Sequence, residues 1–199
     1  IASMIEAKDS YTKGHSLRVA EYSGFLAQAL GWKDEEIQNL KYIALLHDIG
    51  KVGVPDHVLN KPGKLTEAEY NIIKSHTTIG GEILKDIETI KHVDSGAKYH
   101  HERYDGKGYP CGLCGKQIPD VARIIGIADA YDAMNSKRIY RENLSPHKIR
   151  QELVSGKGTQ FDPEYLEVFL QLFDEGKLVV NKVELDKAKT LTGESSVLI

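Results

Sequence analysis

Cysteine is scarce: the 199 residues hold two, Cys111 and Cys114. Two cannot staple a chain of this length, which excludes a disulfide-built secreted scaffold and suits a reducing cytoplasm. Long hydrophobic runs are also missing. No stretch of about 18 apolar residues occurs, so nothing reads as a membrane span or membrane contact. Residues 1–10 lack the basic start and apolar middle of a secretory signal. There is no surplus of positive charge, because 26 Lys and Arg stand against 29 Asp and Glu, a net charge of −3. Polymeric nucleic acid is therefore not expected as a partner, since phosphate-tracking surfaces need a clear cationic excess. No alternating run lies between hairpin signals, so strands are not expected either. Position 1 holds Ile1 rather than methionine, and the chain reads as a piece of something longer.

What remains is enough for one core of helices: 41% of the residues are hydrophobic, and the apolar spacing is helical almost throughout. His15, Val19, Tyr22 and Leu26 share one face, as do Ile37, Leu40, Ala44, His47 and Asp48. Val93, Ala97, His100 and His101 form a third stripe, and Val121, Ile124, Ile125, Ala128, Asp129 and Asp132 a fourth. Thr66 with Glu69 predicts a capping box, and Ser145-Pro146 an N-cap followed by proline in the first turn. The fold class is all-α. Residues 50–63, 104–119 and 155–163 read as loops, and periodicity is lost from Lys177 onward.

Several stripes share a feature that packing alone does not require. Each starts as an ordinary apolar face and then carries His or Asp onto it: His15, His47-Asp48, His100-His101, Asp129, and His76 after Ile72 and Ile73. A single inward histidine is usually a hydrogen-bonded core residue. Five histidines and two aspartates pointing inward are costly unless paired or coordinated. Imidazole and carboxylate suit Fe, Mn, Zn, Co or Ni, and seven ligands exceed what one ion takes. Two ions sharing one aspartate fit the count, with Asp48 as the bridge.

The run His47-Asp48-Ile49-Gly50-Lys51 resembles the signature of HD-domain metal phosphohydrolases. Residues 100–110, HHERYDGKGYP, resemble the motif of their HD-GYP subfamily, bacterial signalling phosphodiesterases for cyclic dinucleotides. Segments around His15, Asp129, Arg138 and Phe161 follow in the family's order, so the likeness covers about residues 5–176. The resemblance implies an HD-domain helical bundle with the HD-GYP extension: residues 1–4 a linker or remnant, 5–176 the catalytic domain, 177–199 a tail. It implies one metal on His15, His47, Asp48 and Asp129 and a second on Asp48, His76, His100 and His101. Fe or Mn is expected, with Zn, Co or Ni as other candidates. A third ion in some members uses a glutamate four residues before the first histidine. That position is Tyr11 here, so two ions are expected.

The implied reaction is attack on a cyclic di-GMP phosphodiester by a hydroxide shared between the metals, giving pGpG, with GMP as a further product left open. Lys51 would serve the phosphate or the attacking water, lying on Asp48's side if the helix continues. Tyr109, in a glycine-rich loop, would contact the ligand; Arg138 and Arg141, three apart, would clamp the diester. Asp132, one turn after Asp129, is expected to orient a ligand rather than to be one. Cys111 and Cys114 lack a second pair and read as incidental, and His57, His92 and His147 as surface or capping residues. Two alternatives stay open: hydrolysis of another cyclic dinucleotide such as 3',3'-cyclic GMP-AMP, and a non-catalytic receptor. An upstream sensory or receiver domain and a homodimer complete the expected partners.

Overall fold

A computed structural model describes residues 1–9, 14–136 and 144–180. The architecture is all-α, and no strand occurs among the described residues. The helices are α1 (Ala2–Lys8), α2 (His15–Ala29), α3 (Asp34–Leu46), α4 (Asp56–Leu59), α5 (Glu67–Leu84), α6 (Val93–Tyr99), α7 (Asp120–Asn135), α8 (Pro146–Ser155) and α9 (Pro163–Asp174). Both expected N-termini form: Glu69 N–H donates to Thr66 Oγ1 while Thr66 N–H donates to Glu69 Oε2, and Ser145 Oγ accepts from Lys148 N–H. Asp162 ahead of Pro163 caps α9 in the same way. Two boundaries differ from the sequence reading. Residues 2–4, read as a linker, belong to α1, and Leu178, read as tail, is buried in the core. No helix among the described residues is long and apolar enough to cross a membrane.

α2 lies along α3 and α7, and α5 along α6. Val19, Leu26, Leu40, Ile43, Ala97, Ile124 and Ile125 fill the space between them and are buried. Tyr22 packs edge-on against Tyr131 at 4.8 Å, and Tyr131 in turn meets Phe169 of α9 at 5.3 Å. This apolar layer fixes the polar ends of four helices relative to one another. Residues 50–63, expected as loop, contain most of a 3-10 turn, Ile49–Gly53, and all of α4. Four residues are too few for helical periodicity to register.

Candidate metal centre

Every inward His and Asp of the stripes arrives in one place. His15 opens α2, His47 follows the last residue of α3, His76 projects from the middle of α5, His100 follows α6, and Asp129 comes from α7. Asp48 stands at the centre. Its Oδ2 is 3.4 Å from His47 Nε2 and 3.9 Å from His15 Nε2, and its Oδ1 is 3.4 Å from His76 Nε2 and 3.9 Å from His100 Nε2. His15 Nε2 is also 3.3 Å from Asp129 Oδ1. Three overlapping triads could each hold an ion: His15-His47-Asp129, His47-Asp48-His100 and His76-His100-His101.

Gly50 explains how α5 comes so close. A Cβ there would lie 1.8 Å from the His76 carbonyl oxygen, so only glycine lets the 3-10 turn after Asp48 rest on the α5 backbone. The same turn corrects the expectation for Lys51. The α-helix does not continue past Leu46, and in the 3-10 turn residues three apart eclipse. Lys51 Nζ therefore sits 2.8 Å from Asp48 Oδ2.

The rings are held by their far nitrogens. His47, His76 and His100 direct Nδ1 at the carbonyls of Ala44, Ile73 and Gly96, at 2.6, 2.7 and 3.1 Å. His15 Nδ1 instead meets Asp132 Oδ2 at 2.8 Å, and Asp132 is itself held by Arg18. Asp132 thus sits where an orienting carboxylate is expected. This pattern turns the Nε2 atoms toward the centre, as in metal sites whose ligands are oriented from behind. The buried His47 Nε2 has no hydrogen-bond partner, and His76 and His100 bring their Nε2 atoms within 3.4 Å. An unpaired buried nitrogen and two imidazole nitrogens brought together, all facing a carboxylate, fit divalent cations.

Charge divides the cluster. Burial alone would lower the pKa of His15, but Asp129, Asp132 and Asp48 outweigh it and raise the value to about 10. Across Asp48 burial wins: His101 falls to about 4, and His76 and His100 are lowered too. The Asp48 and Asp129 carboxyls lie well below the usual range, because Lys51 and His15 respectively overcome the cost of burial.

Beside His100, His101 and Asp129 opens a cavity of about 320 Å³, lined also by Tyr70, Arg103 and Tyr109. The Tyr109 ring stands 5.0 Å from the His101 ring at 34°, and its N–H donates to the His101 carbonyl. A Cβ on Gly108 would fall 2.3 Å from Arg103 N, so glycine folds the loop back on the His100-His101 turn. The buried Glu102 carboxylate then accepts from Cys111 and Leu113 N–H. Cys111 and Cys114 are exposed and unpaired with each other. His57, His92 and His147 are exposed. Arg138, Arg141 and Tyr11 lie outside the described residues. The sequence reading missed Asp9, Tyr70 and Lys74, and gave Glu6 no role. Lys74 Nζ lies 5.1 and 5.9 Å from the Tyr70 and Tyr109 rings.

Comparison with known proteins identifies the family. Residues 1–165 match the HD domain, and the chain belongs to the HD-domain family, in its HD-GYP group. It is 41% identical over 174 residues to the cyclic di-GMP phosphodiesterase response regulator RpfG of Xanthomonas campestris, covering 86% of this chain and 46% of that protein. It is 39% identical over 180 residues to 3'3'-cGAMP-specific phosphodiesterase 2 of Vibrio cholerae, covering 88% and 34%. The chain thus spans between a third and a half of these curated relatives. An HDG"Y"P protein of Bdellovibrio bacteriovorus shares the fold, with a TM-score of 0.67, 24% identity and coverage of 83% of this chain and 53% of that one. So does the HD domain of Listeria monocytogenes PgpH, solved with cyclic-di-AMP: TM-score 0.63, 20% identity, coverage 86% and 93%.

Proposed function

We propose that this domain is a metal-dependent phosphodiesterase that hydrolyses cyclic di-GMP to pGpG and onward to GMP. The observation that carries the reading is Asp48, whose two carboxylate oxygens face different groups of imidazoles. In this reading His15, His47, Asp48 and Asp129 hold one divalent ion, and Asp48, His76, His100 and His101 a second, with Fe or Mn as the native metal. When bound, such a pair lowers the pKa of water and neutralises phosphate oxygens.

The chain's own groups supply the rest. The Lys51 ammonium, 2.8 Å from Asp48, is raised in pKa by Asp48 and Asp9 and stays charged, suited to a phosphate oxygen. Tyr109, at the wall of the cavity, offers an aromatic face to a purine. Arg138 and Arg141 are assigned to the diester, and Asp132 to holding His15. The similarity to a response regulator supports control by a further domain.

Similarity to a 3'3'-cGAMP-specific enzyme favours a second reading, with the mixed dinucleotide as substrate. Anaerobic purification, metal analysis and chromatography of each dinucleotide after incubation test both. Faster loss of cyclic di-GMP, with pGpG appearing first, is expected. Faster loss of cyclic GMP-AMP would establish the second reading. Intact substrates over a fully metallated domain would leave a receptor.

A further inference from the structure

The first helix and the residue that follows it carry three charged side chains, and each reaches a segment that holds part of the site. Glu6 accepts from Gly14 N–H at 2.7 Å and Ser16 N–H at 2.9 Å, closing the first turn of α2 on either side of His15. Lys8 Nζ donates to the carbonyls of Val52 and Val54 at 2.8 and 2.7 Å, at the end of the 3-10 turn that presents Lys51. Asp9, buried at 6% exposure, places Oδ2 2.8 Å from Lys51 Nζ. Beneath them Ile5 anchors α1 in the core, and Asn60 Nδ2 donates to the Lys8 carbonyl.

α1 has seven residues, fewer than a helix needs to persist in water alone. Its place therefore depends on these contacts. The Lys51 ammonium in turn lies between two carboxylates with different duties. Asp48 faces the imidazoles, and its charge is shared with any cation they hold. Asp9 meets the same ammonium at 2.8 Å from the end of α1.

We infer that Asp9 is a positioning residue for Lys51, and that α1 fixes that position by seating Asp9 against the 3-10 turn. This rests on the phosphodiesterase reading for what Lys51 does, but not for how it is held. A shift of α1 would loosen Lys51 while leaving the imidazoles in place, so turnover falls and metal is retained.

The test is a double-mutant cycle on the Mn²⁺-loaded domain with Asp9→Asn and Lys51→Met, followed with cyclic di-GMP and with bis(p-nitrophenyl) phosphate. Metal content and unfolding midpoint are measured for each variant. Asp9→Asn is expected to lower kcat about tenfold with KM within twofold and metal content unchanged. In the Lys51→Met background the same change should cost less than twofold. A full tenfold loss there, or loss of metal from Asp9→Asn, overturns the proposal. Should Lys51→Met leave no turnover to measure, Lys8→Met decides. A kcat at least threefold lower with metal retained supports the seating of α1, and an unchanged kcat overturns it. Turnover of the nitrophenyl ester without turnover of any cyclic dinucleotide would remove the substrate reading while leaving the cycle readable.

Discussion

The two sides of Asp48 are built from different chemistry. On one side His15 stands among Asp129, Asp132 and Asp48, and its ring is oriented by a side-chain carboxylate. On the other, His76, His100 and His101 crowd together, with the first two oriented by main-chain carbonyls. The first side is anionic and raises a histidine pKa; the second is neutral and lowers three. One aspartate with an oxygen toward each side can join an electron-rich half to a nitrogen-rich half. The difference also means that the orientation of His15 is open to mutation, whereas that of His47, His76 and His100 is written into the backbone.

The largest break comes from the shared residue. Asp48→Ala is expected to remove a ligand from both halves and lower turnover at least a thousandfold, with metal analysis showing loss from both sites. Asp132→Asn touches the anionic side alone. It should weaken metal affinity roughly 10–100-fold, the usual cost of losing an orienting carboxylate, and a metal titration should show one site weakened and the other not. Arg138→Ala, assigned to substrate, should keep both ions and raise KM about tenfold; metal loss in this variant would contradict that division.

The smallest effect is on the stability of the metal-free protein. His15, at about 10 against an ordinary 6.5, contributes stability that is complete below pH 6.5 and fades as pH rises toward 10. His101, at about 4, contributes stability that is complete above pH 6.5 and fades as pH falls toward 4. The unfolding midpoint after chelation should therefore peak near pH 6.5 and fall on both sides. A midpoint still climbing at pH 9 would mean that the anionic side does not hold His15 as described.

The histidine and aspartate cluster was legible in the sequence because each of its residues extends an apolar stripe, so helical spacing alone aims His15, His76 and Asp129 inward. The α-helical class and the caps at Thr66 and Ser145 were legible for the same local reason. Asp9 and Glu6 were not, because their partners are tertiary: Lys51 lies 42 residues from Asp9, and no periodic signal marks such a pair. The position of Lys51 was half legible. Its three-residue spacing from Asp48 was visible, but the change from α-helix to 3-10 turn, which makes that spacing effective, follows from Gly50 lying against the α5 backbone. Tyr70 and Lys74 belong to no motif, and only the fold of the Tyr109 loop sets Tyr70 in the cavity wall and the Tyr109 ring near Lys74.

The central claim is that Asp48 joins two cation sites. Anaerobic titration of the chelated domain with Mn²⁺, followed by metal analysis and electron paramagnetic resonance, tests it most directly. Two ions per chain with an exchange-coupled spectrum, and loss of that coupling in Asp48→Ala, is the expected result. One ion per chain, or two ions with the spectrum of isolated Mn²⁺, would contradict it.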